Sequence, residues 1–250
     1  LDEKKINQEQ FDSLFHKKDI KSDHTIVNIE HNQITVDDEK NVFVNIKAGD
    51  INRVPINISL CIDISGSTQT NVLNPESKKY DGVDVIDLLK RSANMIIEIL
   101  NDKDRLGIVV YSSDARVLYK LNYMNKENKK EAKKLVNNLI YGGSTNMWAG
   151  ILNSLNMLGS VEIDNSNSTI LFLTDGLPNS GRGMRDEAFM IRKYKESKCL
   201  NNKLPCTIHT FGFGYQLDSS LLRNISDMGL GAYSFIPDAS MVGTIFVNFI

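Results

Sequence analysis

The sequence predicts an α/β domain: a mostly parallel sheet with helices on both faces, preceded by a β-rich N-terminal extension. Three observations carry this. From residue 56 onward, apolar strand-like runs alternate with segments whose apolar residues recur every three or four positions. The strand runs are continuously apolar, as expected of strands covered on both sides. Strands that alternate with helices form a parallel sheet layered between those helices.

The elements follow in order. Residues 1–22 are polar with scattered apolar positions (Ile6, Phe11, Leu14, Phe15), which reads as a short helix or an arm. Thr25 to Ile29 and Val42 to Ile46 are β-rich, with the turn Asp37-Asp38-Glu39-Lys40 between them, and predict antiparallel strands. Residues 1–50 are thus expected to be an arm and strands packing on a main domain at 51–250. Ile56 to Ile62 predicts a buried strand. A helix follows over about 84–101, with Val85, Ile86, Leu89, Ala93, Ile96, Ile97 and Leu100 on one face and Asp81 or Asp84 as its cap.

Leu106 to Tyr111 and Ala115 to Leu121 predict a strand pair. The Lys-rich stretch 126–138 predicts a surface helix with Ala132, Leu135 and Val136 facing inward and a solvated charged face. Further helices are expected at 146–158, 184–197 and 218–227, and further strands at Ser168 to Thr174, Thr207 to Gly212 and Ala232 to Ile236. A last helix starts near 238, and its apolar Ile245 to Ile250 run reads as continuing beyond residue 250.

Composition narrows the function. The chain has 250 residues, 41% hydrophobic and 24% charged, ample for a core without a disulfide or metal staple. Its 29 basic and 31 acidic side chains give a net charge of −2, which argues against a nucleic-acid binder relying on bulk positive charge. No apolar run is long enough for a membrane span. No apolar core follows the charges of Leu1 to Lys5, which argues against a signal peptide. Cys61 reads as a buried thiol, and a bond between Cys199 and Cys206 is left open. The sequon Asn57-Ile58-Ser59 falls in a central strand that could not accommodate a glycan, which favours an intracellular protein.

In open α/β sheets the ligand site lies beyond the C-terminal ends of the strands. Asp63-Ile64-Ser65-Gly66-Ser67 follows the first buried strand and Thr174-Asp175-Gly176 follows a later one. Gly142-Gly143-Ser144-Thr145-Asn146 opens the helix between them. Together they offer two carboxylates (Asp63, Asp175) and three hydroxyls (Ser65, Ser67, Thr145), with no His or Cys. An all-oxygen set suits a hard cation, Mg²⁺ or Mn²⁺ and, less well, Ca²⁺. Alternate residues of an extended segment point the same way, so Asp63, Ser65 and Ser67 can share one face. Gly66 is expected to allow the sharp turn between the serines. If hydroxyls supply most of the direct contacts, the metal stays electrophilic, and the natural occupant of an open position is a carboxylate from a protein partner.

These segments resemble the metal-ion-dependent adhesion site (MIDAS) of von Willebrand factor type A (VWA) domains: Asp-x-Ser-x-Ser at Asp63 to Ser67, the Gly-Gly-x-Thr loop ending at Thr145, and Thr174-Asp175-Gly176. The resemblance covers about residues 54–250. Lys103 to Ile108 looks like the family's second-strand entry. His209 to Gly214 and Gly231 to Ile236 look like a subgroup often joined to RING, U-box or Hint modules. The resemblance implies a Rossmann-like sheet with one antiparallel edge strand, which would be Ala115 to Leu121. It implies that Ser65 and Ser67 ligate the metal directly, that Thr145 and Asp175 do so directly or through water, and that Asp63 acts through water and orients its neighbours. It further implies a protein-interaction module rather than an enzyme, within a ubiquitin-pathway scaffold by analogy. One departure is the long polar stretch from Thr68 to Asp84, which contains Pro75 and Lys78-Lys79-Tyr80 and could form a rim beside the metal.

Other readings make distinct predictions. A structural VWA domain would have a metal-independent interface. A phosphohydrolase would need Asp-x-Asp after the first strand, where this chain has Ser65 in the second position. No Gly-x-Ser-x-Gly elbow surrounds Ser65 or Ser67. No phosphate loop exists, and His16, His24, His31 and His209 do not fall at strand-end base positions. Thr145 can cap the helix it precedes. Trp148 reads as packing on the sheet, with a partner anchor as the alternative. Leu177-Pro178-Asn179 reads as a turn on the metal rim, and Arg182, Arg185 and Arg192 as solvated helix surface.

Overall fold

The computed structural model describes residues 33–36, 42–45, 53–69, 71–73, 80–161, 165–176, 186–215 and 217–249. The chain divides into two compact units, residues 1–53 and 54–250. In the first, β1 (Gln33–Val36) pairs antiparallel with β2 (Val42–Asn45). The Val42 strand thus pairs with Gln33–Val36, a segment the sequence did not single out, and the strand expected at Thr25 to Ile29 lies outside the described residues.

The second unit carries a six-stranded sheet built from β3 (Ile56–Asp63), β6 (Arg105–Tyr111), β7 (Ala115–Tyr123), β8 (Asn167–Thr174), β9 (Thr207–Phe213) and β10 (Tyr233–Ile236). The strand order is β10-β9-β8-β3-β6-β7, and every pairing is parallel except β6 with the edge strand β7. This is the Rossmann-like arrangement, with its antiparallel edge where the sequence put it. Winding runs outward from β3 to β6 and β7, then returns to β8 on the other side of β3. The C-terminal ends of β3 and β8 thus flank the switch point.

Helices α1 (Val85–Ile99), α2 (Lys126–Asn137), α3 (Met147–Gly159), α4 (Glu187–Lys198), α5 (Ser219–Met228) and α6 (Ala239–Phe249) connect or follow these strands. One face of the sheet packs Ile58, Leu60 and Ile62 against α1, with Phe211, Phe213 and Phe246 in the same cluster. The other packs Cys61, Val109, Tyr111 and Phe172 with Met147, Ile151 and Leu155 of α3 and Leu222 and Ile225 of α5. Burying each such large aliphatic side chain contributes roughly 1.5–3 kcal/mol. All seven apolar positions expected on the first helix are buried. Asp84 is its N-cap, without a side-chain cap bond.

Parts of the polar stretch after the first buried strand form regular structure. Gly66–Gln69 form a 3-10 turn, and β4 (Asn71–Leu73) pairs antiparallel with β5 (Tyr80–Asp84). Trp148 is half-buried and packs against the α3-face cluster, as a helix residue on the sheet. Cys61, Cys199 and Cys206 are free thiols, so the Cys199–Cys206 bond left open by the sequence is not formed. Among the described residues no helix is long and apolar enough to cross a membrane.

Candidate metal centre

Each segment reaches the rim for a local reason. The apolar β3 run drives the strand through the middle of the sheet and delivers Asp63 to its C-terminal end, fully buried. The chain then turns, its 3-10 turn held by Thr68, whose Oγ1 and N–H both donate to the Ser65 carbonyl at 2.7 and 3.2 Å. On the adjoining strand, β8 ends at Thr174 and places buried Asp175 one residue beyond it.

The glycine loop before α3 arrives by close approach. A Cβ on Gly150 would lie 2.7 Å from a ring carbon of Tyr111 and 2.9 Å from Cys61 Sγ, so only glycine lets α3 settle this close to β3 and β6. Gly143 adopts φ +87°, a conformation that favours glycine. Two backbone bonds lock this loop to the β3 turn: Gly142 N–H to the Ile64 carbonyl at 2.8 Å, and Gly66 N–H to the Gly143 carbonyl at 3.0 Å. Gly66 does not use positive φ. A Cβ there would sit 3.3 Å from the Gly143 carbonyl oxygen, so its glycine serves loop contact rather than a sharp turn. Asn146, not Thr145, caps α3, its side chain accepting from the Ala149 N–H at 3.1 Å. Thr145 itself is buried at the head of that helix.

Four of the five candidate residues are joined in one hydrogen-bonded chain. Asp63 Oδ1 accepts the Ser65 N–H at 2.9 Å, the Ser65 and Ser67 hydroxyls share a bond of 3.0 Å, and the Ser67 hydroxyl donates to Asp175 Oδ1 at 3.1 Å. Thr145 follows on the loop tied to the same turn. Below, Asp63 Oδ2 accepts hydroxyls from Thr174 at 2.7 Å and Tyr111 at 3.1 Å. Both oxygens of Asp63 are therefore engaged by the protein. Above, Gly66, Ser67, Gly142 and Gly143 are exposed. The cradle is closed on the protein side and open to solvent.

Sequence reasoning missed Tyr111 and Ser113 and gave Thr174 no role. Tyr111 ends β6 directly opposite Asp63 in the register, and Thr174 ends β8. The signal was positional: each is the last residue of a strand flanking β3. Ser113, in the β6–β7 turn, pairs with the Ser144 hydroxyl at 2.9 Å and accepts the Ser144 N–H at 3.0 Å, bracing the glycine loop. Leu177-Pro178-Asn179, Arg182 and Arg185 lie outside the described residues, and Arg192 is exposed.

The electrostatics are those of two carboxylates buried close together. Burial raises the Asp63 carboxyl above its ordinary range, against hydrogen bonds from Thr174 and Ser65 that lower it. Asp175 is held up to about 7, by burial first and by the Asp63 charge second. Tyr111 is pushed well above its ordinary value by burial and by the same charge, so it stays a donor. Among the described residues no Lys or Arg forms an ion pair with either carboxylate. Buried charges are ordinarily paired or bound to metal. The residues fit a hard cation: every candidate donor is oxygen, and a divalent ion would offset two carboxylates. Among the described residues no three His, Cys, Asp or Glu side chains cluster as a metal site, so any ion here must draw on hydroxyls.

A family model for the von Willebrand factor type A domain matches residues 57–246. The chain is 27% identical over 186 residues to the uncharacterized protein YfbK of Escherichia coli (strain K12), covering 74% of this chain and 29% of that protein. It is 26% identical to human inter-alpha-trypsin inhibitor heavy chain H3, covering 69% and 18% of the two chains. Against the E3 ubiquitin-protein ligase WAV3 of Arabidopsis thaliana identity is 23%, covering 64% and 20%. The chain therefore spans less than a third of each of these relatives.

Among solved structures, a von Willebrand factor type A protein from Catenulispora acidiphila superposes with a TM-score of 0.61 at 20% identity, covering 83% of this chain and 43% of that one. Proximal thread matrix protein 1 from the mussel byssus, solved with a zinc-occupied MIDAS motif, superposes at 0.57 and 18% identity, covering 78% and 47%. These likenesses bear on fold. With the family match over most of its length, the chain belongs to the von Willebrand factor type A domain family, whose members are generally protein-interaction modules.

Proposed function

We propose that this domain binds a divalent cation, Mg²⁺ in the first place, and uses it to recruit an acidic side chain of a protein partner. Ser65 and Ser67 would hold the ion directly, Thr145 and Asp175 directly or through water, and Asp63 would orient them from below. One observation supports this most: two buried carboxylates converge on a hydroxyl cluster at the switch point, and among the described residues no basic side chain pairs with them. The ion supplies an electrophilic anchor for an incoming carboxylate. Mn²⁺ and Ca²⁺ can occupy the same oxygen set, and the zinc seen in the mussel relative shows that the motif is occupied in that protein.

On this reading the domain is not an enzyme. Among the described residues no histidine stands at the cradle, and His209 lies within β9, where its Nδ1 accepts the Ala232 N–H at 2.9 Å. The buried Asn57 sequon supports an intracellular setting, and the likeness to WAV3 supports a scaffold role in a ubiquitin pathway. The test is calorimetric titration of Mg²⁺ into the wild type and Ser67→Ala, followed by partner capture with and without EDTA. The proposal expects one site in the wild type, none in the variant, and capture lost with EDTA. No heat in the wild type contradicts the metal anchor. Metal binding with EDTA-insensitive capture favours a structural domain with a metal-independent interface.

A further inference from the structure

Leu139, Ile140 and Tyr141 lead from the end of α2 into the glycine loop. Leu139 turns inward and is buried, but Ile140 is 82% exposed and Tyr141 is 36% exposed. A single exposed aliphatic residue is ordinary on a surface. The placement of this one is not. Gly142, two residues on, is bonded to the Ile64 carbonyl beside Asp63, so at most about 7 Å of chain separates Ile140 from the cradle's backbone. Gly142 and Gly143 carry no side chains to stand between Ile140 and the open side of the site. From Leu139 to Met147 the rim holds no charged residue. Isoleucine is stiff at χ1, so covering it loses less side-chain freedom than covering a long flexible residue.

We propose that Ile140, with Tyr141 beside it, is the apolar half of the recognition rim, and that the partner is a polypeptide segment carrying Asp or Glu with an apolar side chain about two to four residues away. This rests on the metal-anchored reading above. The carboxylate enters the cradle, and the segment lies extended across Gly142 and Gly143 at about 3.3 Å per residue, which brings its apolar side chain over Ile140. The metal gives attraction to any accessible acid, and Ile140 gives preference among acids.

The test uses a random twelve-residue phage peptide library selected in Mg²⁺ on the whole chain and eluted with EDTA, in parallel on wild type and Ile140→Ser. Mg²⁺ alone is titrated calorimetrically into both proteins. Ile140 is exposed, so the variant is expected to fold and to bind Mg²⁺ as the wild type does. The wild type should enrich Asp or Glu with a Leu, Ile, Met or Phe at the stated spacing. Ile140→Ser should keep the acidic preference, lose the apolar one, and bind the selected peptides roughly tenfold or more weakly. Acidic peptides without an apolar neighbour, or enrichment unchanged by Ile140→Ser, would overturn the inference and leave the metal anchor standing. Mg²⁺ binding with no EDTA-eluted peptide also overturns it. Absence of Mg²⁺ binding to the wild type removes both.

Discussion

Asp175→Asn tests the electrostatics of the cradle through stability. In the metal-free protein Asp175 is held up to about 7, against an ordinary value of 3.8, by burial and by the neighbouring Asp63 charge. At about 1.4 kcal/mol per pH unit, keeping that carboxylate charged in the folded state costs on the order of 4 kcal/mol. The sign follows from proton counts. Between about pH 4 and pH 7 the folded state holds a proton that the unfolded state has released, so this group lowers stability as pH rises and stops doing so above about 7. Asp175→Asn removes the charge and with it this slope. The assay is denaturant unfolding in EDTA at pH 5, 7 and 8, read as the difference between wild type and variant so that titrating groups remote from the cradle cancel. The variant should gain on the wild type by a few kcal/mol between pH 5 and pH 8. Excess Mg²⁺ at about a hundred times its dissociation constant should restore about 2.7 kcal/mol to the wild type at pH 8, far less at pH 5, and nothing to the variant. A pH-independent difference would exclude a raised Asp175 in the folded state, and a variant still stabilised by Mg²⁺ would exclude Asp175 from the metal site.

Other outcomes follow from the same contacts. Asp63→Ala should unfold more readily in EDTA than Asp63→Asn, by roughly 1–3 kcal/mol. Alanine leaves the Ser65 N–H and the Tyr111 and Thr174 hydroxyls without their acceptor, while asparagine keeps the shape and can reorient its amide. Gly150→Ala should cost roughly 1–3 kcal/mol by denaturant titration, because its methyl meets the Tyr111 ring and Cys61 Sγ. Thiol titration of the native protein should find Cys199 reactive and Cys61 and Cys206 protected until unfolding. Burial raises both protected thiols, Cys206 to about 12 and Cys61 further.

Most of the fold was legible because burial on both faces leaves a plain mark. The β3 run and the apolar stripe of α1 could not have been anything else of that length. The rim was legible because strand-end residues in a doubly wound sheet must meet, so Asp63 and Asp175 fell together once β3 and β8 were adjacent. What escaped depended on register or on neighbouring residues of similar type. Tyr111 and Thr174 reach Asp63 only because the parallel ladders align their strand ends, which no single segment encodes. Thr145 and Asn146 are both capping residues, and only the path of the loop decides that Asn146 caps. The β4–β5 hairpin is held by cross-strand backbone bonds in a polar stretch whose composition reads as a loop. The Gln33–Val36 partner of β2 escaped because only Ile34 and Val36 mark it as apolar.

The most direct measurement is anomalous diffraction from crystals soaked in Mn²⁺. One strong peak is expected within coordination distance of the Ser65 and Ser67 hydroxyls, on the side facing Thr145 and Asp175. A peak elsewhere with this cradle empty, or no peak under saturating Mn²⁺ at pH 8, would contradict it.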